Sequence, residues 1–258
     1  MSRQEQPVTA VERLRALHVA GTPLVLPNVW DADTATAVLE TGFPVVATSS
    51  VAVARSLGYP DGEQAPVDEM LAVVRRIARV VDVPVTVDAE SGYGLPPAEL
   101  VERLVEAGAS GFNIEDTDHR TGARRHPDQQ AELVAALKES AGDRLVINAR
   151  IDSFLACHDS GPDERELVPE VLDRARCYLA AGADVVYPIH VRGAQVIRTI
   201  TTELGSAPVN VTLLPGGPDL AELAALGVAR VSLGGGLRTM VRTALGRFLT
   251  ELAEQYPA

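Results

Sequence analysis

Four carboxylates stand at positions where a hard divalent cation would be held. Asp88 and Glu90 lie two residues apart at the end of an apolar run, in "VTVDAESGYG". Glu115 closes the next apolar run, and Asp61 sits in the loop "SLGYPDGEQ", which can reach the same neighbourhood. Acids gathered in one mouth repel strongly unless a cation joins them. An all-oxygen set suits Mg²⁺ or Mn²⁺ rather than zinc, and Mg²⁺ keeps several waters, so not every acid needs direct contact. Solvated loop acids or helix N-caps are the competing reading of these four residues.

Other polar residues end apolar runs in the same way. Arg150 offers a planar fork that matches a substrate carboxylate; a salt bridge to one of the site acids is the alternative. His190 suits a hydrogen-bond donor or an acid/base group, or else a structural histidine capping a strand. Ser49, Ser50 and Val51 can offer backbone N–H groups to an oxyanion. Asn28 ends another run, as a substrate contact or as a group that satisfies backbone at the barrel mouth, and Asn210 lies near the end of one more, as a substrate contact. Cys177 lies inside a helical segment, where it packs, and Cys157 follows the fifth strand, where a thiol nucleophile is the less favoured reading.

The elements that must position these groups alternate regularly. Short runs rich in β-branched residues occupy 24–28, 45–49, 83–88, 111–115, 145–150, 185–190, 208–212 and 230–233, and read as strands. Segments with helical spacing lie at 10–18, 31–41, 66–81, 96–107, 128–140, 163–181, 193–204, 219–226 and 237–256. Four joints, "ETGFPVV", "EAGASGF", "AAGADVV" and "ALGVARV", put a glycine just after a helix and an apolar strand soon after it. That repeat is the βα unit of a (β/α)8 TIM-type barrel, in which chemistry sits at the C-terminal ends of the strands. A doubly wound open sheet would show a glycine-rich phosphate turn after the first strand, where this chain has "LPNVWDA". The opposite rim ends in Gly, Ala and Pro, so the polar asymmetry marks one rim as an active site. With no linker or shift of composition, residues 1–258 read as a single domain with an N-terminal helix.

Bulk composition agrees. Apolar residues make up 46% and aromatics only 4%, so Val, Leu, Ile and Ala fill the core, as in parallel sheets covered by helices. The net charge of −12 argues against nucleic acid or an anionic membrane as partner. A small anionic substrate remains compatible, because a bound cation reverses the local field. The polar stretch 1–9 has no apolar signal core, no run is long enough for a membrane helix, and two cysteines without a disulfide or zinc pattern suit reduced thiols. A cytoplasmic protein is expected.

The run from "LPNVWDADTA" through "GFPVVATSSVAVARSLGYPDGE", "VPVTVDAESGYG", "GFNIEDTDHRTG", "LVINARIDSF" and "AGADVVYPIH" resembles the isocitrate lyase/phosphoenolpyruvate mutase superfamily over about residues 24–236. The resemblance implies a modified (β/α)8 barrel, Mg²⁺, and a 2-oxo-carboxylate handled through an enolate. It implies tetramers built as dimers of dimers, with the last barrel helix exchanged between paired subunits. On the matching residues it implies that Asp88 binds the metal directly and that Asp61, Glu90 and Glu115 hold its waters. Ser49 with the Ser50 and Val51 backbone would cradle the substrate carboxylate, and Arg150 and His190 would contact substrate.

The chain departs from the family in the loop after strand four. The lyase branch carries a Lys-Lys/Arg-Cys-Gly-His motif there, and the phosphonopyruvate-handling branch uses Lys and Asn. This chain has "EDTDHRTGARRHPDQQ", with none of these. His119, Arg120, Arg124, Arg125 and His126 stand in their place, either as a lid over an anionic substrate, with His119 and Arg120 catalytic, or as a solvated basic loop. The expected activity is a Mg-dependent carbon–carbon lyase on a small 2-oxo or 2-hydroxy carboxylate. Phosphorus–carbon chemistry and a non-catalytic carboxylate binder are the rivals. A Schiff-base aldolase needs a lysine at a strand end, and the one lysine, Lys138, lies in a helical segment.

Overall fold

The computed structural model describes residues 8–157 and 161–256. Most of the polar 1–9 stretch and the ends of a 1–258 domain thus lie outside the described residues. Six neighbouring strands form a parallel run: β2 (Asn28–Val29), β3 (Val46–Thr48), β4 (Val85–Asp88), β5 (Gly111–Glu115), β8 (Val146–Ile151) and β9 (Val185–Pro188). A second parallel group orders β1 (Leu24–Leu26), β11 (Arg230–Ser232) and β10 (Asn210–Thr212). β1 and β2 are two halves of one strand, divided at Pro27, which has no N–H to give a ladder. A parallel bridge between Val186 and Val209 joins the groups on the other side. The ring therefore closes with the strands in chain order, which is a (β/α)8 barrel and not an open sheet.

Helices cover the ring: α2 (Ala32–Glu40), α4 (Val67–Ala78), α5 (Pro97–Glu106), α6 (Pro127–Ala141), α7 (Glu164–Ala180), α8 (Ala194–Leu204) and α9 (Leu220–Ala225). Helix α4 shows why. Its Met70, Leu71, Val73, Val74 and Ile77 are buried on one face, Asp68 and Glu69 open its first turn, and Arg75 and Arg76 close its last. Gly108, just past α5, has φ +89°, and a Cβ there would stand 2.7 Å from the Ala78 Cβ. Only glycine meets both demands. Helix α1 (Ala10–Ala16) seals the lower end of the barrel, packing Leu14 with Leu24, Leu26, Val45, Ala47, Val146 and Val185.

Three differences from the sequence reading matter for the site. A helix, α3 (Ser50–Leu57), follows β3 directly, so the Ser49–Val51 segment is a helix start and not a strand end. Six of its eight residues are β-branched or small, and its Ser49 N-cap makes no side-chain capping bond. The loop after β5 folds into a two-stranded hairpin, β6 (Thr117–Asp118) with β7 (Ala123–Arg124). Asn210 begins β10 rather than ending it, and β9 stops at Pro188, leaving His190 in a turn at φ +64°. The last helix, α10 (Gly236–Glu254), has no buried residue. No helix among the described residues is long and apolar enough to cross a membrane.

His18, just beyond α1, carries a measurable consequence. Its Nδ1–H donates to the Leu14 carbonyl at 2.8 Å, and its Nε2 is sealed from solvent without a partner. Burial, then the nearby Arg230 charge, pulls its pKa from 6.5 down to about 3. Below pH 6.5 the unfolded chain takes up a proton that the native state refuses, so native stability falls as pH drops from 6.5 towards 3. The loss amounts to roughly 2 kcal/mol at pH 5. Urea unfolding of wild type and His18→Leu at pH 7 and pH 5 measures this: the variant is expected to lose about 2 kcal/mol less between the two pH values. An equal loss in both proteins would refute the assignment.

Candidate active site

The C-terminal rim gathers the charged groups, and Arg150 is their centre. It leaves β8 and places Nη1 2.5 Å from Glu115 Oε2 on the neighbouring β5. Its Nε donates to Asp152 Oδ1 at 2.6 Å and its Nη2 to Asp152 Oδ2 at 3.2 Å. Asp152 also accepts from Thr117 Oγ1 of the hairpin at 2.5 Å, and its amide donates to Asp116 Oδ1. The arginine is thus held on both sides, with its remaining N–H groups left for an incoming carboxylate.

Glu115 is buried, at 2% exposed, and its second oxygen meets the hairpin. His119 Nε2 lies 2.5 Å from Glu115 Oε1 and 3.7 Å from Glu90 Oε2. The short contact is ionic rather than a well-aligned hydrogen bond, since neither atom has a partner in hydrogen-bonding geometry. The Glu115 carboxylate pushes the His119 pKa up to about 9 against the effect of burial, so the imidazole is charged at neutral pH. Glu90 is itself raised to about 7, first by burial and then by the Asp88 charge. It accepts from Tyr93 Oη at 2.8 Å and from the Glu63 amide at 2.7 Å.

Asp88 ends β4. Its Oδ2 accepts from the Ser50 amide, the first N–H of α3, at 3.0 Å. Its Oδ1 is buried and has no hydrogen-bond partner. Asp61 is exposed and accepts from Ser50 Oγ at 3.3 Å, which brings its loop to the same corner. Among the described residues no three His, Cys, Asp or Glu side chains converge closely enough to enclose an ion by themselves. A hydrated Mg²⁺ needs only one or two direct carboxylates. The orphaned Asp88 oxygen beside Glu90 and Asp61 fits that mode of binding, whereas Glu115 is already engaged by two cations.

The remaining sequence candidates divide. Ser49 and Ser50 are buried beside Asp88, and the Val51 amide lies in the first turn of α3, where the backbone N–H groups have no partner within the helix. Asn28 is committed to backbone: Nδ2 donates to Thr48 O at 2.7 Å, and Oδ1 accepts from the Leu233 and Gly234 amides at 2.9 and 2.8 Å. It stitches three strands at the mouth, so its expected substrate contact gives way to a structural one. Asn210 is fully buried lower in the barrel and exchanges hydrogen bonds with Ser232, away from the rim. Arg120 points outwards and pairs with Asp118, at the edge of a cleft lined by Glu63, Tyr93 and His119. His190 is half-buried beyond β9.

Two residues received no role in the sequence reading. Glu63 accepts from Ser91 N, Ser91 Oγ and Tyr93 N, and so ties the Asp61 loop to the Glu90 loop. Asp152 positions Arg150. A signal existed for Asp152, because alternation along a strand puts it on the same side as Arg150 two residues earlier. Glu63 had none beyond its place in a glycine-containing acidic loop.

Comparison with known proteins adds the lineage. Residues 14–253 match the family model described as phosphoenolpyruvate phosphomutase. The oxaloacetate decarboxylase of Rhodopseudomonas palustris (strain BisB5) is 30% identical, over 77% of this chain and 71% of its own. The 2-methylisocitrate lyase of Salmonella typhimurium is 29% identical, over 78% and 73%. A solved structure of a candidate phosphonomutase from Burkholderia cenocepacia J2315 superposes with a TM-score of 0.86 at 41% identity, covering 93% of this chain and 99% of that one. The barrel, its charged rim and these matches agree with the resemblance carried by "DAESGYG", "NIED" and "NARIDSF". The chain is a member of the phosphoenolpyruvate phosphomutase family, within the isocitrate lyase/phosphoenolpyruvate mutase superfamily.

Proposed function

We propose that this protein is a Mg²⁺-dependent lyase that breaks a carbon–carbon bond in a small 2-oxo or 2-hydroxy carboxylate, decarboxylation included. The observation that carries the reading is the folded hairpin: it delivers a charged His119 into the acid cluster, beside an arginine clamp and an unpartnered Asp88 oxygen. Asp88 would hold the cation, with Asp61 and Glu90 on its waters. When bound, Mg²⁺ supplies positive charge to the substrate carboxylate and 2-oxo oxygens. Arg150 and the Val51 amide orient the carboxylate. In a 2-oxo substrate, the electron pair of the broken bond at C3 passes to the 2-oxo oxygen, leaving an enolate. His119 then returns a proton to C3 from Nε2, the work that the lyase branch gives to its loop cysteine. The names of the two relatives above, a decarboxylase and a methylisocitrate lyase, support carbon–carbon chemistry.

Phosphorus–carbon chemistry is the second reading, favoured by the 41% identity to the candidate phosphonomutase. Against it stands the use made of the loop arginines. Arg124 is bound to Ser153 and Glu170, and Arg125 to Glu115 O, Gln130 and Ser91 O. Neither is free to receive a moving phosphoryl group.

The unburied face of α10 bears on assembly. Met240, Leu245, Phe248, Leu249 and Leu252 are exposed along it, and an apolar groove lined by Trp30, Val38, Phe43 and Leu237 runs beside its start. A single chain leaving such surface open supports a homo-oligomer, a dimer of dimers with α10 exchanged between partners. Both cysteines are free thiols, which suits the cytoplasm.

Three outcomes are expected. Proton and phosphorus NMR of the protein with Mg²⁺ and oxaloacetate, 2-alkylmalates or phosphonopyruvate should give pyruvate without phosphate from a carbon acid, and Asp88→Ala should abolish it. Phosphate or phosphoenolpyruvate from phosphonopyruvate would move the protein to the second reading, and tight oxalate binding without any turnover would make it a binder. His119→Asn should lower kcat about 10²–10⁴-fold with a smaller change in KM; unchanged kcat would remove His119 from the chemistry. Sedimentation velocity should find wild type as an oligomer and Phe248→Glu as a smaller species, whereas a monomeric wild type would sink the exchanged helix.

A further inference from the structure

Arg230 belongs to β11, the strand opposite β5 in the closed ring. It is 1% exposed. Its Nη2 donates to Asn113 Oδ1 at 3.2 Å, and Asn113 is the register partner of Asp88 on the adjoining strand. The guanidinium therefore crosses the barrel interior and ends one strand from Asp88. Asn113 Oδ1 is shared with Asn148 Nδ2, at 2.8 Å. Arg230 Nε and Nη1 are buried without a hydrogen-bond partner, and Arg230 forms no ion pair with any described residue.

A buried cation lacking a bonded counter-charge is costly. Burial draws the Arg230 pKa down to about 10, opposed by Tyr187 and Asp88, so the group stays charged at neutral pH. Asp88, at the mouth, supplies part of the balance. Among the described residues, Asp61, Glu63, Asp88, Glu90, Glu115 and Asp152 have Arg150 and His119 as the rim cations paired within the cluster, with Arg120 acting on Glu63 from the edge. A positive charge beneath them offsets part of that excess without occupying a ligand position.

We infer that Arg230 is an internal counter-cation of the acid cluster: a positioning residue that holds down the affinity of the Asp88 site for its divalent cation. This rests on the metal reading proposed above. A site too tight would retain the metal–product chelate, and a charge under the floor weakens it without altering the first ligands.

Calorimetric titration of Mg²⁺ into full-length wild type, R230Q and R230K tests it, with melting curves of each. Glutamine keeps an amide donor for Asn113 and removes the charge, while lysine keeps the charge. R230Q is expected to bind Mg²⁺ on the order of tenfold tighter than wild type, and R230K within about twofold of it. Mg²⁺ should also raise the melting temperature of R230Q more than that of wild type, because the ion replaces the lost charge. A purely structural arginine would lower the melting temperature in both variants and tighten neither. Equal or weaker Mg²⁺ binding by R230Q overturns the inference, as does an R230Q that stays unfolded at saturating Mg²⁺. If wild type binds no Mg²⁺, the metal reading fails and takes the inference with it; if wild type binds and R230Q is unchanged, only the role of Arg230 falls.

Discussion

Arg150 is held between two buried carboxylates, Glu115 and Asp152, and the rim is organised around that chain of charges. Removing three charged groups from water is expensive, and the attraction between them offsets this only when the geometry is good and the other donors and acceptors are satisfied. Here they are. Asp152 takes Thr117 of the hairpin, its amide takes Asp116, and Asp116 takes Arg174 and Tyr178 of α7. One chain of polar contacts therefore runs from the covering helix, through two strands, into the loop that reaches over the mouth. Loss of one partner of a buried ion pair in this chain would leave the other charged and unpaired, at a cost of roughly 3–5 kcal/mol.

Local strain is concentrated on the same rim. Glu63, Glu90, Tyr93 and His190 are the non-glycine residues with positive φ among the described residues, and each lies between a barrel strand and the covering helix after it. Each such conformation costs on the order of 1–3 kcal/mol and persists only where its surroundings over-determine it. Glu63 provides that surrounding for two of them, since its carboxylate gathers the Ser91 and Tyr93 amides while its own amide holds Glu90. The lower end shows none of this. There Leu14 of α1 plugs an aliphatic layer. The barrel separates stability at one end from chemistry at the other.

The sequence revealed what depends on period and chain order. The parallel strands announce themselves by β-branched runs, the helices by spacing, and the rim by the polar residue at each strand end. Sequence missed what depends on a partner far along the chain. Nothing in "SSVAVARSL" says that Ser50 N will meet Asp88, and so nothing marks α3 as a helix aimed at a carboxylate. Asn28 and Asn210 look alike as polar strand residues. One stitches backbone at the mouth and the other hydrogen-bonds Ser232 inside the barrel, and only the register separates them. Arg230 was hidden for the same reason, because it reads as the polar start of a strand until the ring closes and turns it inward.

The altered loop gains its meaning from these commitments. A run with His119, Arg120, Arg124, Arg125 and His126 suggests a mobile basic lid, but the structure assigns most of these charges to holding the loop itself. Arg124 and Arg125 fasten it to α7, β5 and the Glu90 loop, His126 caps α6, and Arg120 faces Asp118. His119 alone is turned into the acid cluster. Such a hairpin is built to keep one imidazole over the mouth rather than to sweep a field of positive charge across it. A single proton carrier held against a carboxylate suits chemistry that ends by placing one proton on carbon. It does not suit stabilising a phosphoryl group in flight, which needs several free donors at once.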